Sequence, residues 1–151
     1  MKRSSTYCEG AVFLVPLPTS GFGVGVLVRG DGKGRAFGYF FGPRVEGENQ
    51  VNIDGLKPAT AILTCRFGDH GLFNGRWPII GHINDWKDNR WVMPGFVRPH
   101  DHGSLRFLTE YDDCLRAISE RVDALSVSHL PDDAQYGSGV VEKKLGKLLL
   151  Q

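Results

Sequence analysis

The sequence has little of what would commit it to a known chemistry. Its three cysteines, Cys8, Cys65 and Cys114, lie far apart and are odd in number. They form no C-x-x-C and no disulfide framework, which favours a reducing compartment over secretion. Each reads as a small buried hydrophobe. No stretch approaches the ~18 apolar residues of a spanning helix. The basic start MKRSSTYCEG is followed only by a short apolar run, 11–17, broken by Pro16, which is too short for a secretory peptide. A soluble, cytoplasmic chain with no membrane partner is expected. Strong charge of either sign is also missing, since the formal net charge is +1. That balance supplies no field for nucleic acid.

Catalytic signatures are equally scarce. There is no G-x-S-x-G, no phosphate-cradling loop and no H-E-x-x-H. GFGVGV, 21–26, lacks G-x-G-x-x-G spacing and leads into a β-turn. His100 and His102 form an H-x-H that could share an ion on one face of a strand, yet no second ligand cluster accompanies them. His82, Asn84, Asp85 and Asp88 offer hydrolase-like groups, but Asn, Asp and Lys at this density also make a turn. No catalytic residue, metal ligand or cofactor site is assigned.

What is present is glycine, 20 residues, and aromatic β-strand. The 151 residues are 41% hydrophobic and 23% charged, which predicts one globular domain spanning 1–151. GAVFLVPL, 10–17, reads as a strand. In 21–30, Phe22, Val24, Val26 and Val28 share one face, and the glycine face opposite is nearly bare. DGKG, 31–34, is a hairpin turn, and 35–42 is the partner strand, with Phe37, Tyr39 and Phe41 on one face. Strands follow at 59–67, 76–83, 90–99 and 105–111, with HGLFNG as a turn. Residues 43–58 form a long loop with an edge strand at 51–53. Leu115, Ile118, Val122 and Leu125 fall at helical spacing after Asp112. A last short helix carries Val141, Leu145 and Leu148. The fold class is α+β: a curled antiparallel sheet, or small partly open barrel, with one or two C-terminal helices.

Two features could meet a partner, and one large aromatic is expected not to. Trp77 leads an apolar strand and is expected in the core. Trp86, among Asn84, Asp85, Lys87 and Asp88, reads as a lone aromatic in a polar turn and a candidate anchor. Acidic residues at Glu46, Glu48 and Asp54, and again at Asp132 and Asp133, could form a patch for a basic partner.

Three stretches carry a resemblance: EGAVFLVPLPTSGFGVGVLVR (9–29), GLFNGRWPIIG (71–81) and LPDDAQYGSGVVEKKLGKLL (130–149). In this order they resemble the immunity protein 26 family of bacterial polymorphic toxin systems. The resemblance implies neutralisation of a cognate toxin by direct, non-catalytic binding, and it transfers no set of binding residues. The alternatives from the residues alone are a small-barrel module for nucleic acid or protein, and a metal-dependent hydrolase using the histidines.

Overall fold

Alternating apolar residues on both faces of the first three strands dictate a sheet that must be covered twice. The computed structural model describes residues 7–99, 105–123 and 129–150. Strands β1 (Ala11–Pro16), β2 (Phe22–Gly30) and β3 (Arg35–Val45) form an antiparallel meander. β4 (Leu63–Gly68) pairs with β3, β5 (Ile79–His82) with β1, and β9 (Gln135–Tyr136) runs parallel to β4. The order among the described residues is β5-β1-β2-β3-β4-β9. A second sheet holds β6 (Phe96–Pro99), β7 (Arg106–Tyr111) and β8 (Ala117–Asp123). Two helices are described, α1 (His70–Phe73) and α2 (Ser138–Leu148). Neither sheet closes, so of the two expected forms the curled open sheet is the one adopted.

The first face of the main sheet collects Phe13, Phe40, Phe67 and Trp77, all fully buried, under α2 through Val141 and Leu145. The bare face expected of β2 is this one, and it is filled from outside. Phe13 lies across Gly25, where a Cβ would sit 2.4 Å from Cε2 of the ring. Leu145 and Leu149 of the C-terminal segment press on Gly23. The second face holds Val24, Val26, Phe37, Tyr39 and Phe41, covered by Trp91, Phe96 and loop residues.

Several expectations change. Through Asp123 the helix expected after Asp112 is instead strand β8, and Leu125 lies outside the described residues. Asp112 Oδ1 accepts from the backbone N–H of Cys114 (2.9 Å) and Arg116 (3.0 Å), and Leu115 takes a positive φ of 62°, which together make a hairpin turn. Ile118 and Val122 are four apart, a spacing that a strand face satisfies as well as a helix. The edge strand at 51–53 is absent among the described residues. The loop instead makes three 3-10 turns, Glu48–Gln50, Ile53–Gly55 and Pro58–Thr60. The strands expected at 76–83 and 90–99 shrink to β5 and β6, HGLFNG contains α1, and β3 runs on to Val45. Only Cys65 of the three cysteines is buried; Cys8 and Cys114 are exposed.

Candidate functional site

Trp77 is the centre of the first face. It stacks on Phe13 at 5.6 Å and 9°, and meets Phe67 at 5.5 Å. Gly71 of α1 permits this position, because a Cβ there would lie 2.8 Å from the indole. The Trp77 indole N–H donates to Glu142 Oε2 of α2 at 2.9 Å. Arg76 donates to the same carboxylate from Nε (2.8 Å) and Nη2 (2.9 Å). Arg76 chiefly, with Trp77, holds the Glu142 carboxyl below its ordinary range against the opposing effect of burial. A buried carboxylate with three donors is a satisfied clasp that fixes α2 to the sheet.

The second face carries the expected anchor, in a different setting. Trp86 is half-buried and stacks on Trp91 at 5.5 Å and 29°. Trp91 is edge-on to Tyr39 at 5.3 Å and to Phe41 at 6.1 Å. Trp86 thus belongs to an aromatic ladder rising from the sheet to the surface. The turn that presents it uses Asp85 at a φ of 53°. Asn84 Nδ2 donates to Asp54 Oδ1 at 2.8 Å, joining this turn to the 46–60 loop. Between the two segments lies a groove of about 360 Å³, with Asp54, Asp85, Lys57, Lys87 and Arg90 on its rim. Glu46 and Glu48 are exposed at the other end of the same loop, and Glu46 pairs with Arg44 at 2.8 Å. An exposed polar rim of mixed sign beside this aromatic ladder suits protein recognition.

Asp132 and Asp133 do not line that groove. Asp133 is turned inward, accepting from Arg66 Nη2 and the Tyr111 hydroxyl, both at 2.6 Å. Arg66 lies over the Tyr111 and Phe96 rings at 4.2 and 5.1 Å, so this cluster ties the two sheets together. Burial first, then the bond to Asp133, pushes the Tyr111 hydroxyl up to about 12. Asp132 is exposed and accepts from the Tyr136 hydroxyl at 3.2 Å. Among the described residues, no three His, Cys, Asp or Glu side chains converge on a point that could hold a metal. His100 and His102 lie outside the described residues.

Residues 8–104, more than half of the chain, match the family described as Immunity protein 26. The chain belongs to the immunity protein 26 family. Membership implies toxin neutralisation in general, with a protein toxin as the partner. Two of the three resembling stretches, 9–29 and 71–81, fall inside the match, and 130–149 falls outside it. No curated protein and no solved structure matches the chain. The matched region contains the meander, Trp77 and the loop groove of this immunity protein, whereas α2 and Glu142 follow it in sequence. No helix among the described residues is long and apolar enough to cross a membrane.

The Glu142 clasp and the Arg66–Asp133–Tyr111 cluster were not legible as sites. Arg66 is the one charged residue of strand β4, and that position is the signal pointing to a buried partner.

Proposed function

We propose that this immunity protein acts as one domain, 1–151, in the bacterial cytoplasm, binding and neutralising a single cognate toxin of a polymorphic toxin system without catalysis. The observation that carries the reading is the family match over 8–104. The contact surface is the loop face: Trp86 as the aromatic anchor, with Glu46, Glu48 and Asp54 as polar partners. Asp132 is a peripheral contributor. Asp133 serves the toxin interface only by holding the two sheets together, since its carboxylate is spent on Arg66 and Tyr111. Mixed charge on the rim favours specificity and register over indiscriminate attraction.

The test is co-expression of this chain with the product of the gene immediately upstream, read as cell survival, together with a pull-down of the two proteins. Rescue with stoichiometric complex formation is expected. Rescue without binding, or with turnover of the toxin, would overturn the non-catalytic reading. Substituting Trp86, Glu48 and Asp54 together should weaken the complex while the chain stays folded.

A further inference from the structure

Helix α2 uses one side to cover Trp77 and leaves the other to solvent. Its buried side is Val141, Glu142 and Leu145. Its outer side carries Lys143, Lys144, Lys147 and Leu148, the last 51% exposed, and Leu150 just beyond the helix is 73% exposed. Two grooves flank this ridge. One, of about 280 Å³, lies against Pro18 and Thr19 of the β1–β2 turn, where Gly146 lets the proline approach: a Cβ there would sit 2.9 Å from Pro18 Cδ. The other, of about 380 Å³, lies against Ile62 and Leu63 at the start of β4. Lys147 borders both.

The charge of this surface differs from the rest of the chain. The net charge of the whole is +1, yet every charged residue lining the two grooves is a lysine. Lys144 is held over the Tyr136 ring at 4.7 Å. Among the described residues no carboxylate pairs with Lys143 or Lys147, whereas Arg29, Arg35, Arg66, Arg76, Arg98 and Arg121 all have one. Two apolar grooves with an unneutralised lysine rim present both halves of a recognition code: apolar side chains fill the grooves and carboxylates meet the rim.

We propose that the outer side of α2, with the Pro18 turn and Ile62, is a second docking surface that takes an acidic amphipathic peptide segment of a partner protein. It lies on the opposite side of the main sheet from the loop face and does not depend on the toxin reading. Its lysines also lie outside the region matched by the family.

The experiment is selection from a random phage-displayed peptide library on the immobilised full chain. The selected peptides are then titrated by fluorescence polarisation. Enrichment of Asp or Glu together with Leu or Phe at helical spacing is expected. Affinity should fall about tenfold or more for the double variant Lys143→Glu/Lys147→Glu and stay unchanged for Lys33→Glu, a lysine in the β2–β3 turn. Melting curves verify that each variant is folded. The milder Lys143→Gln/Lys147→Gln pair should shift affinity in the same direction and serves if the reversal disturbs folding. Failure to enrich any peptide, enrichment without acidic bias, or indifference to both lysine variants would each overturn the proposal. So would binding to phosphatidylserine-containing vesicles that the lysine variants abolish, if no peptide is selected.

Discussion

The two faces of the main sheet are built from the same kinds of residue and closed in different ways. On the first, Phe13, Phe40, Phe67 and Trp77 lie under a regular helix, and one carboxylate, Glu142, satisfies the polar atoms that the burial of Trp77 creates. On the second, Phe37, Tyr39 and Phe41 are closed by Trp91 and by two irregular loops, and the ladder ends in a Trp86 whose indole N–H is buried without a partner among the described residues. The first face is finished in the chain itself. The second leaves Trp86 half-covered and its buried indole N–H without an acceptor among the described residues.

That contrast can be broken at its strongest point first. Trp77→Ala removes a fully buried ring and should lower stability by ~3–5 kcal/mol, read as the midpoint of chemical unfolding. A change within experimental error would mean the first face is not the structural core. Glu142→Leu is next. It leaves the Trp77 N–H without its acceptor and should cost about 1–3 kcal/mol. Its pH behaviour sharpens the point. The folded carboxyl has a depressed pKa, so its contribution is fully present above the unfolded value and is lost as pH falls through the folded one. Unfolding followed as the pH is taken down below about 4.5 should show this loss in the native chain. The Glu142→Gln variant should lack that part of the dependence.

Gly71→Ala forces a methyl to 2.8 Å from the Trp77 indole and should destabilise by roughly 1–3 kcal/mol through overpacking. Trp86→Ala should have the smallest effect on folding, about 1 kcal/mol for the lost stacking on Trp91, and the largest on toxin binding. If instead it unfolds the chain as readily as Trp77→Ala, the two faces are equivalent and the loop face is core.

The sequence disclosed the first face better than the second. Strict alternation exposed the meander, and Trp77 before Pro-Ile-Ile marked itself as core. The partner of its indole was hidden because Glu142 lies in a lysine-rich helix that reads as a solvated end. Around the second face, the loop at 43–58 has no periodicity, so its three 3-10 turns and the way Val51, Ile53 and Leu56 tuck under it were not legible. Trp86 reads as isolated because its neighbours in sequence are polar, while its neighbour in space is Trp91 five residues on. The hairpin at Asp112 was lost for a different reason. A four-residue apolar spacing belongs to both regular periods, and only the turn chemistry of Asp112 separates them.

One consequence concerns the order in which the chain is made. Trp77 and the carboxylate that receives its N–H are separated by 65 residues. At about 5–20 residues per second, synthesis leaves the indole and its surrounding phenylalanines without their lid for roughly 3–13 s. During that interval the future core is an open aromatic surface on a partly built sheet, so the nascent chain is more prone to aggregation than the finished one.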